Sequence, residues 1–332
     1  MSMGTCQHAY TLRLEIIPSG ENQDSLTYIQ QEILKEKYSL RANETAATIS
    51  AQHYNGVVRG IDTLLQYMNR ASTGHLTLTG LPLVVDDQPR FPYRGLMLDT
   101  SRRYYRVETI LKIINTMRVA KLNKFHWHIT DDDSVALQFE SYPNLTDFTA
   151  FSKREIYTRQ DAAMIEKYAA ERGIDVVPEV DSPAHSRAMG NDPEILPLLT
   201  CFEKDWPWEI QKGYVIKGGP PTGAFDPTLD ESYEYLKKIL GDTASYFSGD
   251  VVHLGGDEVL LWCWKSKDSI KKYMDEHGIK DSEALMNLYL QRERQVLRNV
   301  AGKRYAAYWS NPDTFYMRYG EGDVVQYWGL QS

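Results

Sequence analysis

Cysteine is scarce: Cys6, Cys201 and Cys263 are all that 332 residues contain. Three cysteines cannot staple a small disulfide scaffold, so the fold must rest on an apolar core, for which 42% hydrophobic residues suffice. No apolar run approaches the roughly 18 residues of a membrane span. Basic clusters are missing as well. With 37 basic and 45 acidic residues the net charge is −8, which leaves no electrostatic footprint for nucleic acid and no membrane-surface patch. Internal repeats and low-complexity tracts are absent. The stretch from Met1 to Cys6 lacks the apolar core of a secretory signal and, taken literally, predicts a cytosolic product. Two sequons, Asn43-Glu44-Thr45 and Asn144-Leu145-Thr146, point the other way. Aromatic residues are plentiful, with 22 Tyr and 7 Trp. Such faces stack on sugar rings as readily as they fill cores.

The length suits one large domain and a smaller one. Residues 10–17 alternate like a strand, and 37–42 with 45–51 read as a hairpin around Asn43. Val57, Val58, Ile61, Leu64, Leu65 and Met68 form a helical stripe over 54–69. A strand at 75–79 and a Pro-rich link follow. Residues 1–90 are therefore predicted as a small α+β domain, and 91–332 as a second domain. There, strands at 94–102, 124–132, 173–182, 250–258, 303–310 and 323–329 alternate with helices such as 107–121 and 158–172. That order predicts a parallel α/β sheet of the (β/α)8 barrel type, with about six strands present. In such barrels chemistry sits at the C-terminal ends of the strands, and the polar, unusual residues cluster at those ends here.

HLGGDEV at 253–259 carries the strongest signal. Two glycines permit a tight turn, and Asp257 and Glu258 follow. Neighbours in a strand point to opposite faces, so only a turn brings both carboxylates into one pocket. In isolation the pair could equally be a helix cap and a solvated acid. In DTSRRYY (99–105), Arg102 could hold two vicinal hydroxyls or pair with Asp99. FHWHITDDD (125–133) invites a metal-site reading through His126 and His128. That pattern belongs on a first barrel strand rather than the second, and of the only further histidines available at later strands, His185 and His253, the latter lies several residues before its strand's end, so buried barrel histidines are the better reading. PEVDSPAH (178–185) sets Asp181 and His185 about a Pro turn, where the imidazole could tune an acid. Trp309 and Trp328 close strand ends, and Trp262 and Trp264 follow the Gly-Gly turn. Each could wall a pocket or simply pack.

Together, in order from about residue 8 to the end, these segments resemble glycoside hydrolase family 20, the animal lysosomal-type hexosaminidases in particular. The resemblance implies an exo-acting β-N-acetylhexosaminidase without cofactor or metal. Glu258 would be the general acid/base, Asp257 would hold the acetamido group, and Arg102 would grip sugar hydroxyls. Asp131 and His185 would form a relay behind Glu258, and Trp309 and Trp328 would line the pocket. Ala184, Asn311 and Arg103 depart from the family pattern and put fine specificity in question. Adjacent carboxylates suit the substrate-assisted chemistry of this family better than an opposed nucleophile and acid. Two other readings stay open: a metal-dependent barrel hydrolase, and a sugar binder without turnover.

The resemblance also implies a Cys201–Cys263 disulfide, with Cys6 free or paired elsewhere, and a lysosomal or secreted location. The expected partner is an oligosaccharide or glycoconjugate with a terminal N-acetylhexosamine; a homodimer stays open. Six strands where a closed barrel needs eight predict a fragment whose open edges would fold poorly alone.

Overall fold

The computed structural model describes residues 10–18, 26–70, 72, 74, 76–202, 223–302, 305–311 and 314–328. Cys6 lies outside them. The chain divides into two compact units. One comprises residues up to Gly95 with 114–124 and 170–174; the other comprises 96–113, 125–169 and the chain from Asp175 on.

The first unit holds β1 (Thr11–Ile16), β2 (Tyr38–Ala42), β3 (Ala46–Ala51), β4 (Met68–Arg70), β5 (Leu76–Leu78) and β6 (Leu83–Asp87). Four of them pair in the order β1-β3-β2-β6, and β4 pairs with β5. The β2–β3 turn is set by Asn43, whose side-chain oxygen accepts from the N–H groups of Thr45 and Ala46. Helix α1 (Tyr28–Glu36) starts at a Thr27–Gln30 capping box. It ends on Glu36, buried between Arg59 and Arg94, each 2.6 Å away. Helix α2 (Tyr54–Gln66) buries Val57 and Leu64 against Leu40 and Ile49. It is shorter than the sequence stripe implies. Leu65, turned about 100° from Leu64, falls off the core face and is half exposed, while Met68 already belongs to β4.

The second unit is built on β7 (Gly95–Asp99), β8 (Lys124–Thr130), β9 (Asp175–Ser182), the short pair β10 (Leu199–Thr200) and β11 (Ala224–Phe225), then β12 (Val251–Gly255), β13 (Tyr305–Ser310) and β14 (Val324–Tyr327). Apart from β10 and β11 these strands form one sheet whose neighbours follow chain order. It is parallel and curled, a partial (β/α)8 barrel. Helices Val107–Val119, Arg159–Ala170, Asp230–Tyr246 and Ser282–Ala301 intervene. Among the described residues the sheet has six strands, as the pattern predicts, with β7 and β14 at its edges. β8 is buried along its whole length, as expected of a strand covered on both faces. Trp127 packs edge-on against Tyr157 and Phe247. His126 and His128, one position either side, point to the other face. Among the described residues no helix is long and apolar enough to cross a membrane.

Candidate active site

Two strands end where expected, β9 at Ser182 and β13 at Ser310; the others stop two or three residues early, which places Arg102, Asp131, Asp257 and Glu258 on the turns beyond them. At the end of β12 the chain turns through Gly255 (φ 70°) and Gly256 (φ 95°), and Glu258 also takes a positive φ of 53°. A Cβ on Gly255 would stand 1.7 Å from Asp181 Oδ1, so only glycine fits. The turn delivers Asp257 and Glu258 to one cavity of about 290 Å³, which Arg102, His128, Asp181, His185, Trp309, Trp328 and Met97 also line. Asp257 is buried, whereas the Glu258 side chain is 47% exposed.

His185 stands between carboxylates. Its Nε2 lies 3.3 Å from Glu258 Oε2 and 4.0 Å from Asp257 Oδ1. Its Nδ1 lies 3.2 Å from Asp132 Oδ2 and 3.3 Å from Asp131 Oδ1. Burial opposes a charge here, but Asp181 and the hydrogen bonds to Asp131, Asp132 and Glu258 outweigh it and push the imidazole well above its ordinary value. The bond from His185 in turn holds Glu258 below the usual carboxyl range, against its partial burial. Asp257 moves the other way. Burial leads, His185 opposes, and Glu179 and Glu258 add to the lift, so its carboxyl rises to about 6. Asp181 is also raised, chiefly by burial.

Arg102 is tied to two acids, with Nη1 2.8 Å from Asp99 Oδ2 and Nη2 2.6 Å from Asp131 Oδ2. Asp131 also meets His128 Nε2 at 2.7 Å. Burial works against its charge, yet His128 and His185 hold its carboxyl well below the ordinary range. Beneath lies Glu179, fully buried, with His126 Nε2 and His128 Nδ1 each 2.6 Å from Oε2 and Trp309 Nε1 donating to Oε1 at 2.6 Å.

Asp257, Glu258, Arg102, Asp131, His185, Trp309 and Trp328 thus converge, while Trp264 does not: it is fully buried in helix Leu261–Ser266 and packs near Tyr289. His126 and His128 are buried barrel histidines. Several groups, such as His126, Glu179 and His253, have donor atoms within 4.8 Å of one another. Two ligands on a tetrahedral zinc with bonds of ~2.0 Å stand about 3.3 Å apart. The 2.6 Å contacts of His126 and His128 with Glu179 are shorter, and belong to hydrogen-bonded or charge-paired groups rather than co-ligands. Sequence reasoning missed Glu179, Asp132 and the placement of His128. Their signal was spacing: His126 with His128, and Glu179 with Asp181, sit at i and i+2 and so share a face of adjacent strands.

Cys201 and Cys263 are joined in a disulfide, with Cα atoms 5.8 Å apart. It ties the segment after β10 to the helix following the carboxylate turn.

A parallel barrel sheet that gathers acids, an arginine and indoles beyond the carboxyl ends of its strands defines a barrel-type catalytic domain. Residues 91–332 match the family model described as Glycosyl hydrolase family 20, catalytic domain. The chain belongs to that family. A chitooligosaccharidolytic beta-N-acetylglucosaminidase of Ostrinia furnacalis is 38% identical over 271 residues, 79% of this chain and 44% of that protein. A beta-hexosaminidase subunit beta of Felis catus is 33% identical over 297 residues, 89% of this chain and 53% of that one. A solved GH20 exo beta-N-acetylglucosaminidase from Vibrio harveyi, in complex with N-acetylglucosamine, superposes with TM-score 0.73 at 27% identity, over 89% of this chain and 47% of that chain. The chain spans about half the length of the curated relatives it matches.

Proposed function

We propose that the chain carries the catalytic centre of an exo-acting, retaining glycosidase that releases terminal β-linked N-acetylglucosamine or N-acetylgalactosamine from an oligosaccharide or glycoconjugate. The observation that carries this reading is the delivery of two consecutive carboxyls, Asp257 and Glu258, by one turn into one cavity. Retaining enzymes with a protein nucleophile set their two carboxyls on either side of the scissile bond. Adjacent ones leave the nucleophile to the substrate. The acetamido oxygen attacks the anomeric carbon within the same sugar, aligned before reaction. Asp257 accepts from the acetamido N–H and, ionised, balances the positive oxazolinium. Glu258 gives its proton to the leaving oxygen, then takes one from the water that opens the ring, so configuration is retained. A sugar that expels water from the cavity raises the Glu258 carboxyl towards the protonated form an acid needs. His185, backed by Asp131, is its immediate proton partner. Arg102 holds ring hydroxyls, and Trp309 and Trp328 wall the sugar. The Cys201–Cys263 bond supports an oxidising destination, lysosomal or secreted.

The test compares aryl N-acetylglucosaminide, N-acetylgalactosaminide and glucoside, with and without chelator. Hydrolysis should need the 2-acetamido group and ignore the chelator. Glu258→Gln should lose at least ~100-fold in rate, less with a highly activated leaving group. A thiazoline analogue should bind tightly. Failure of that analogue, with a fluorosugar adduct on Asp257 or Glu258, would return the nucleophile to the protein. Binding of N-acetylglucosamine without turnover would make the chain a lectin-like binder.

A further inference from the structure

We propose that Glu179 is a positioning residue that holds two parts of the site at once: the Trp309 wall through one carboxylate oxygen, and the Asp131–His185–Glu258 line through the other oxygen and His128. Glu179 lies in β9 with no solvent exposure. Its Oε1 accepts the Trp309 indole N–H at 2.6 Å, and the indole ring also lies against His253 and His126, with ring centres 4.7 and 5.5 Å away. Orientation of the wall is therefore set from the core side. The second oxygen faces His126 and His128.

His128 is the joint. Nδ1 lies 2.6 Å from Glu179 Oε2, a charge contact, and Nε2 lies 2.7 Å from Asp131 Oδ2, a hydrogen bond. A neutral imidazole would turn a lone pair toward one of these anions. Two anions at these distances favour a proton on each nitrogen, which makes His128 an imidazolium between two carboxylates. Its charge offsets the cost of the buried Glu179 anion, and it fixes the Asp131 oxygen that Arg102 Nη2 also meets, 2.6 Å away. The other groups facing His128 are Asp181 on β9 and His253 on β12, the latter kept neutral chiefly by burial. The line then continues through His185 to Glu258, at 3.3 Å per step. Loss of the charge on Glu179 should release His128 while leaving an oxygen for Trp309.

The proposal builds on the hydrolase reading, but its test does not require turnover. Nitrogen-15 NMR of the histidines, with His128 assigned through His128→Gln, should show both ring nitrogens still protonated well above the ordinary histidine pKa of ~6.5. Glu179→Gln should remove that signature. The Trp309 indole N–H, assigned through Trp309→Phe, should exchange slowly in wild type and Glu179→Gln, and fast in Glu179→Leu. A neutral His128 in wild type, or an imidazolium that survives Glu179→Gln, overturns the proposal, as does fast exchange at Trp309 in wild type. Should Glu179→Gln fail to fold, the wild-type spectra still decide. Where hydrolysis is measured, Glu179→Gln should lower kcat at least ~10-fold with KM within about 3-fold, and Trp309→Phe should mainly raise KM. A chain that shows both NMR signatures without hydrolysis counts against the glycosidase reading and leaves the role of Glu179 standing.

Discussion

Arg102 and Asp131 join the turns after β7 and β8: Nη2 of the arginine lies 2.6 Å from Oδ2 of the aspartate. The other arm of the same fork reaches Asp99 at 2.8 Å. A planar guanidinium spans two acids with fixed geometry, and an ammonium cannot. Arg102 is nearly half exposed but Asp131 is buried; a lysine would keep a cation beside that acid, so the weight of the fork itself falls on recognition. Arg102→Lys should weaken N-acetylglucosamine binding by about 10-fold, the equivalent of one charge-assisted hydrogen bond, with little change in unfolding temperature. Calorimetric titration measures the first and a thermal melt the second. Unaltered affinity would remove Arg102 from the sugar site.

Asp257 makes stability fall with rising pH. Burial lifts its carboxyl from 3.8 to about 6, so the folded state holds this proton more tightly than the unfolded chain does. The contribution is fully present below about pH 4 and is lost as pH rises through about 6, at a cost of about 3 kcal/mol. Asp257→Asn cannot ionise. It should melt above wild type near neutral pH, and the advantage should vanish by about pH 4, even as the variant loses turnover. Melts of both proteins across that window decide it. An Asn variant destabilised equally at both ends would mean that Asp257 is not strained by its charge.

The parts of the site that were legible in the sequence are those where chemistry demands odd neighbours. Two glycines before two acids make sense only as a turn, and Gly255 against Asp181 shows why. The barrel was legible because apolar runs alternate with helical stripes. Glu179 was not, because a glutamate amid apolar residues does not reveal which strand it faces. Its partners come from β8 and β13, and strand order is a property of the sheet rather than of any segment. Trp264 was open to either reading for the converse reason: it follows the carboxylate turn closely in sequence, and only its helix decides that it points into the core.

The disulfide should contribute measurably. Cys201 and Cys263 are 62 positions apart, and closing a loop of that size removes ~4 kcal/mol of chain entropy from the unfolded state. Reductant should lower the melting temperature of wild type and leave Cys263→Ala unmoved at the lower value. Because Cys263 sits in the helix just past Glu258, sugar affinity should fall in parallel. A wild-type melt indifferent to reductant would show that the bond braces nothing.

Gly255 and Gly256 stand side by side, yet alanine should affect them very differently. Both have positive φ, at 70° and 95°, so either substitution carries about 1–3 kcal/mol of backbone strain. At Gly256 the nearest atom to a new Cβ is the far end of the unbranched Met317 side chain, Cε at 3.2 Å, which can shift by a few tenths of an ångström. At Gly255 the Cβ would meet Asp181 Oδ1 at 1.7 Å, its Cγ at 2.3 Å and its Cα at 2.9 Å. The last is backbone, so rotation of the Asp181 side chain cannot relieve the clash; β9 and β12 must part. Overpacking of that kind adds about 1–3 kcal/mol and displaces Asp181 from the cavity it lines. Gly255→Ala should therefore unfold at distinctly lower urea than Gly256→Ala, and any folded fraction should bind N-acetylglucosamine more weakly. Equal midpoints for the two variants would show that Asp181 does not limit the turn, and the close approach of these two strands would lose its place in the account of how Asp257 and Glu258 reach one pocket.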